Sequence, residues 1–222
     1  NGGTFLSCCK SYKKLIGVDP TIKKFKRFYN KDILQISDFF PSKKILEELN
    51  QKKVKLITSI SMFYDLENPL DFVRSISQIL EKNGVWHFEQ SYMPFMLKNN
   101  SYDTICHEHL EYYSLSVIKN ILNKANLKIL DVEFNDINGG SFAVTAAHTK
   151  STMKPNNKII NWLLKEEKNL NLSDVEVYKN FQKKILLHKK SLLDLLKKLK
   201  KNNKTISGLG ASTKGNVILQ YC

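Results

Sequence analysis

Arginine is almost missing from this sequence. Of its 35 basic residues only Arg27 and Arg74 are arginine, and the remainder are lysine. A formal charge of +14 by itself points toward nucleic acid. Proteins that read phosphate and guanine, however, rely on the bidentate arginine fork. The lysines here fall on the polar faces of expected helices, where a charge run is a solvated surface. They accompany abundant Asn and Ile, the mark of compositional drift, so no nucleic-acid partner is expected. Long apolar runs are also lacking. None approaches the roughly 18 residues of a membrane span, so no membrane partner is expected either. The N-terminus has no basic segment followed by an apolar stretch, which argues against a signal peptide. It has no initiator Met and opens on Asn1-Gly2-Gly3, as an internal loop cut open would. Cysteine is sparse. Cys8, Cys9, Cys106 and Cys222 include no pair with zinc-ligand spacing, and they read as reduced thiols of a cytoplasmic protein. Internal repeats and low-complexity linkers are absent.

What is present is a sizeable core. The 222 residues are 42% apolar, enough for one large domain or for one domain and part of another. The first half alternates short apolar strands with helices. Strands are expected at 14–18, 33–36, 54–60 and 85–89, with a helix-like stretch at 5–12 and a helix at 69–81 that Gly84 stops. The third strand is nearly all apolar and β-branched, as a buried parallel strand should be. Such alternation implies a doubly wound parallel sheet. The pattern then changes. A helix at 116–125 is followed by strands at 127–134 and 141–147 around Asn138-Gly139-Gly140, the signature of an antiparallel hairpin. A parallel sheet finishing in such a hairpin is the Rossmann-like methyltransferase arrangement, whereas the dehydrogenase version continues with parallel strands.

Residues 150–204 read as lysine-rich helix. Ser173 and Glu176 have capping-box spacing. Tyr178, Phe181, Ile185, Leu192, Leu196 and Leu199 form an apolar stripe, for packing or for a partner helix. A strand at Thr205-Ile206 and the turn Gly208-Leu209-Gly210-Ala211-Ser212-Thr213-Lys214-Gly215 then begin a second α/β unit. Lys214 there is suited either to a diphosphate or to plain solvation. The domains expected are 1–149 and 150–222.

Ligands of such sheets bind beyond the carboxyl ends of the strands. Asn1, Gly2 and Gly3 precede a helix, and glycine lets backbone approach a ligand closely. Asp19 ends one strand and suits two ribose hydroxyls. Asp38 ends the next and suits an adenine amino group, with Phe39 against the ring. Ser59 and Ser61 lie at the end of the third. A helix N-cap competes as the role of each acidic residue, but suitable residues at three successive strand ends point to an adenosine-type ligand. His107-Glu108-His109 follows the fourth strand at the same edge. His-Glu-x-x-His is absent and no cysteine pair completes a set, so no metal is expected. A base suits the residues better: His titrates near neutrality, and a neighbouring carboxylate orients it. A solvated loop is the alternative.

These residues resemble the sugar C-methyltransferases that act on nucleotide-linked 4-keto-deoxyhexoses. The resemblance runs through Leu15-Ile16-Gly17-Val18-Asp19-Pro20, Met62-Phe63-Tyr64-Asp65-Leu66-Glu67, Phe88-Glu89-Gln90-Ser91-Tyr92, Tyr102-Asp103-Thr104-Ile105-Cys106-His107-Glu108-His109, Asn138-Gly139-Gly140-Ser141 and the glycine turn at 208–215. The Asp-Thr-Ile-x-His-Glu-His block is the specific one. The resemblance implies three parts: an N-terminal zinc-binding domain missing from this chain, a cofactor domain, and a C-terminal Rossmann-like domain only begun here. It implies S-adenosylmethionine as cofactor, with its methionyl part at 59–62, and a nucleotide-sugar substrate taken by a monomer. It further implies His109 as general base and Glu108 as its partner. Removing the proton beside the 4-keto group would give an enolate whose C3 attacks the sulfonium methyl, with His107 and Tyr92 as candidate donors to the enolate oxygen. Many relatives carry Tyr where this chain has Cys106, so no phenol role transfers there. The alternatives are an O- or N-methyltransferase of another metabolite and a non-catalytic basic nucleotide-binding protein.

Overall fold

The computed structural model describes residues 3–9, 11, 14–210 and 212–222. The chain divides into two compact units, Asn1–Val54 and Lys55–Cys222.

The first unit runs α1 (Thr4–Cys8), β1 (Leu15–Val18), α2 (Ile22–Phe25), β2 (Ile33–Ile36) and α3 (Lys43–Leu49). β1 and β2 pair in parallel, with Leu15 opposite Ile33 and Val18 opposite Ile36. Ile22, Ile33, Ile36, Ile45 and Leu49 are its buried apolar residues. Gly3 enters α1 at φ 69°, and a Cβ there would lie 2.7 Å from the Tyr29 ring. Both conformation and packing therefore demand glycine at this point.

The second unit holds β3 (Val54–Ile60), α4 (Pro69–Ile79), β4 (Leu80–Ser91), α5 (Met93–Asn99), α6 (Leu115–Lys124), β5 (Leu127–Asn135) and β6 (Ser141–His148). Three further helices follow: α7 (Asn157–Asn169), α8 (Val175–Lys201) and α9 (Thr213–Tyr221). The strand order is β3-β4-β6-β5, so the last strand in sequence lies inside the sheet. β6 is antiparallel to both neighbours, which establishes the expected hairpin. Its turn needs glycine: Gly140 has φ 119°, and a Cβ would meet the Phe95 ring at 2.6 Å. Trp86, Phe88, Gln90 and Tyr92 alternate on one buried face of the β4 segment. Phe63 packs against Phe72, Trp86, Phe88 and Tyr113, with ring centroids 5.2–5.9 Å away.

Several expected boundaries move. The α4 helix stops at Ile79 and not at residue 81, because Leu80 takes extended backbone and opens β4, which runs on through Gly84. Asp174, not Ser173, caps α8, its carboxylate accepting from the Glu176 amide at 2.9 Å. An anion suits that helix end better than a hydroxyl. The strand expected at Thr205-Ile206 does not form, and no strand lies beside it among the described residues. On α8 only Phe181 is fully buried. Phe181, Leu97 and Tyr102 form a small core on which Met93, Met96, Ile185, Val217 and Ile218 pack.

One charged residue is built into the interior. Ile160, Leu163 and Glu167 are the buried positions of α7, spaced along a single helical stripe. Glu167 Oε1 accepts from the Tyr92 hydroxyl at 2.8 Å and from the Leu115 amide, and Oε2 accepts from the Ser116 amide at 2.8 Å. It thus caps the first turn of α6, where the helix dipole favours negative charge. Replacing Glu167 by Ala strands a buried phenol and two amides, so the loss should be about 3 kcal/mol. Urea unfolding of Glu167→Ala beside the unmodified protein checks this, and Glu167→Gln, which keeps an acceptor, should lose less.

Candidate active site

The first unit presents its acidic residues where the strands end. Asp19 follows β1, and its Oδ1 accepts from the Thr21 amide at 2.7 Å and from the Thr21 hydroxyl. Burial pushes this carboxyl up while the Thr21 hydrogen bonds pull it down, and it ends below its ordinary value. It therefore stays an acceptor at neutral pH. Asp38 follows β2 and accepts from the Phe39 amide at 2.9 Å. The Phe39 ring is 73% exposed, a flat apolar face turned to solvent. Asn1 and Gly2 lie outside the described residues.

In the second unit, Ser59 and Ser61 stand at the end of β3. The Ser59 hydroxyl accepts from Trp86 Nε1 at 2.8 Å, so it is engaged in the core. Ser61 sits at φ 51°, in the left-handed region, with its amide donating to the Glu89 carbonyl at 2.8 Å. A serine held there is uncommon and marks a conformation imposed by its surroundings.

The histidine block lies between α5 and α6. A pocket lined by Tyr64, Ser91, Met93, Met96, Thr104, His109, Glu111 and Tyr112 takes in His109 alone of the block. His109 Nδ1 lies 2.8 Å from the Thr104 carbonyl oxygen. A carbonyl can only accept, so Nδ1 carries the proton and Nε2 is left as a lone-pair acceptor. That is the tautomer a general base requires. The Tyr64 ring lies against the imidazole with centroids 4.3 Å apart. The Tyr64 carbonyl accepts from the amides of Leu110 and Glu111 at 3.0 and 3.1 Å, fixing the loop just beyond the base. The Tyr112 hydroxyl reaches the same Thr104 oxygen at 3.4 Å. Burial raises the phenols of both Tyr64 and Tyr112, so each is a neutral donor at physiological pH.

The geometry corrects the expected companions of His109. Glu108 does not orient it. Its carboxylate faces His107 Nε2 at 3.9 Å and the Cys106 thiol at 3.9 Å, and the His107 and Glu108 side chains are 86% and 52% exposed. His107 and Glu108 form a turn closed by the His109 amide donating to the Cys106 carbonyl at 3.2 Å, and the Thr104 carbonyl takes over the orienting role. A carboxylate within electrostatic reach is Asp65. Burial raises it, attraction to His109 lowers it, repulsion from Glu108 raises it, and it ends above its ordinary value. Tyr92 is no donor to the pocket, because its hydroxyl is spent on Glu167. Burial first, and then the Glu167 charge, push its phenol well above the ordinary range. Lys214 donates to the Asn138 carbonyl at 3.1 Å and to Asn138 Oδ1 at 3.3 Å, so it braces the hairpin turn. Tyr64 and Thr104 were inside recognisable stretches of sequence, but nothing in their neighbours marked them as pocket residues.

The strand order and antiparallel hairpin are those of the Rossmann-like methyltransferase fold, and comparison with known proteins agrees. Solved structures with this fold include a chain from the Haloferax volcanii complex between the Trm112 methyltransferase activator and a methyltransferase. It has TM-score 0.54 and 12% identity over 66% of this chain and 78% of that one. LepI in complex with SAM matches at TM-score 0.51 and 12% identity, over 66% of this chain and 41% of LepI. A Bacillus halodurans protein assigned as a methyltransferase matches at 0.51 and 12%, over 68% and 90%. Residues 1–132 match the methyltransferase domain family, and residues 136–222 match the C-methyltransferase C-terminal domain. The chain belongs to the methyltransferase domain family. It is 27% identical over 168 residues to the C-methyltransferase NovU of Streptomyces niveus, a match covering 76% of this chain and 40% of NovU.

Because the Tyr92 hydroxyl serves packing and not chemistry, Tyr92→Phe should cost about 2 kcal/mol of stability. Denaturant unfolding followed by circular dichroism reads this loss directly.

Proposed function

We propose that the protein is an S-adenosylmethionine-dependent C-methyltransferase that methylates C3 of a nucleotide-linked 4-keto-deoxy sugar, with His109 as the base. The observation that carries this reading is the Thr104 carbonyl on His109 Nδ1, which leaves Nε2 free to accept a proton inside the pocket. A carbon acceptor must lose a proton before it attacks, whereas an oxygen or nitrogen acceptor already has a lone pair. The match of residues 136–222 to the C-methyltransferase C-terminal domain supports the same chemistry.

The residues of the first unit fit the cofactor. Asp19 and Asp38 supply acceptors for the ribose hydroxyls and the adenine amino group, and the exposed Phe39 ring suits the base plane. Bound S-adenosylmethionine supplies an electrophilic methyl on its sulfonium. In the second unit His109 Nε2 takes the C3 proton, which the adjacent ketone acidifies, and the electron pair moves onto the ketone oxygen. The Tyr64 hydroxyl, neutral and on a residue lining the same pocket, is the donor to that oxygen. His107, expected in this role, is too exposed for it. The half-apolar lining, with Met93 and Met96, limits water around the developing charge. The nucleotide-sugar substrate, the cytoplasmic location and the monomeric state are parts of the same proposal. So is the division into domains 1–149 and 150–222.

Two measurements test this. Calorimetric titration of the full-length protein with S-adenosylhomocysteine should give binding that Asp19→Ala removes. Unchanged binding in that variant would withdraw Asp19 from the cofactor site. Second, the protein in D2O with a 4-keto-6-deoxy nucleotide sugar should exchange the C3 proton, and His109→Asn should slow both exchange and methylation by about 10²–10⁴-fold. Methylation without C3 exchange, or full activity in His109→Asn, would sink the enolate mechanism.

A further inference from the structure

The turn that holds the base is itself held from outside the pocket. Tyr102, Asp103 and Thr104 form a single 3-10 turn, and its last residue supplies the carbonyl on which His109 Nδ1 rests. Its first residue points the other way. The Tyr102 side chain is buried in the core formed with Leu97 and Phe181, and its hydroxyl lies 2.9 Å from His188 Nδ1 on α8. The His188 ring meets the Tyr102 ring edge-on at 5.6 Å, and Tyr221 of α9 meets it at 5.8 Å from another side. Met93 and Met96 belong both to this core and to the pocket wall, so the two are continuous.

We propose that Tyr102 is a positioning residue for His109. Its hydroxyl, anchored on His188, fixes the rotation of the 102–104 turn, and the turn aims the Thr104 carbonyl at Nδ1. The connector helix α8 therefore takes part in setting which imidazole nitrogen carries the proton. Without the hydroxyl bond the turn keeps its apolar packing but loses the polar contact that fixes its rotation, and Nδ1–H loses a well-aligned acceptor. The ring can then place its proton on Nε2, the nitrogen that must be bare. The catalytic consequence rests on the reading of His109 as the base; the effect on the ring does not.

The test uses full-length protein labelled with ¹⁵N-histidine, comparing wild type, Tyr102→Phe, His188→Ala, His188→Gln and the double variant Tyr102→Phe/His188→Ala. In wild type the His109 spectrum should show a proton on Nδ1 and a bare Nε2. In Tyr102→Phe and His188→Ala the Nε2–H form should appear, and kcat for C3 proton exchange on a 4-keto-6-deoxy nucleotide sugar should fall about 10- to 100-fold. The double variant should be no worse than Tyr102→Phe alone, since that variant already removes the bond to His188, together with the 3.5 Å contact to Cys222 Sγ. His188→Gln, which keeps an acceptor, should restore much of the wild-type tautomer. A wild-type tautomer in Tyr102→Phe, with only thermal stability reduced, would overturn the proposal. A shifted tautomer with exchange unaffected both there and in His109→Gln would uphold the positioning role and remove His109 as base.

Discussion

The pocket depends on one buried carboxylate. The segment from Met93 to Ser114 carries six of the eight residues that line it, and Glu167 grips both ends of that segment. At the start it accepts from Tyr92, immediately before α5; at the finish it accepts from Leu115 and Ser116, the first turn of α6. The backbone closes the same neck, with the Met93 amide donating to the Tyr113 carbonyl at 3.0 Å and the Tyr92 amide to the Gly140 carbonyl at 3.1 Å. Loop closure costs chain entropy, and a segment of this length stays ordered only if its ends are tied. A buried charge is expensive unless its acceptor capacity is used. Here two oxygens meet three donors, one pair of them at a helix N-terminus, so the charge is compensated in place. The same chemistry makes the arrangement intolerant, since no single partner can be deleted without leaving another stranded.

Within that loop the His109 ring is oriented by a neutral group, the Thr104 carbonyl, which fixes its tautomer. Glu108, meanwhile, stays in solvent beside His107, where an ion pair contributes little.

The sequence made the elements legible wherever periodicity and turn chemistry act locally. The β-branched run of β3, the Asn138-Gly139-Gly140 turn and the apolar strands of the hairpin each appear within a residue or two of their expected places. Failures came where a distant partner decides. Leu80 leaves its helix to open β4, and Thr205-Ile206 forms no strand because none lies beside it among the described residues. The site follows the same rule. His109 was legible as a residue, but its partner was not: adjacency favoured Glu108, and a backbone atom five residues upstream took the role. Glu167 did carry a signal. It is a charged residue in the apolar register of Ile160 and Leu163, and a carboxylate on a buried stripe must have donors waiting for it.

Position and orientation of the base are thus set by different parts of the chain. Glu167, from α7, decides where the 93–114 segment is anchored. Thr104, at the end of a turn packed on α8 and α9, decides which way the imidazole faces. Between the two lie Met93 and Met96, unbranched side chains that can fill irregular space on either side. Both thioethers pack on the small core around Tyr102 and also line the pocket of His109, so the two regions meet through unbranched side chains.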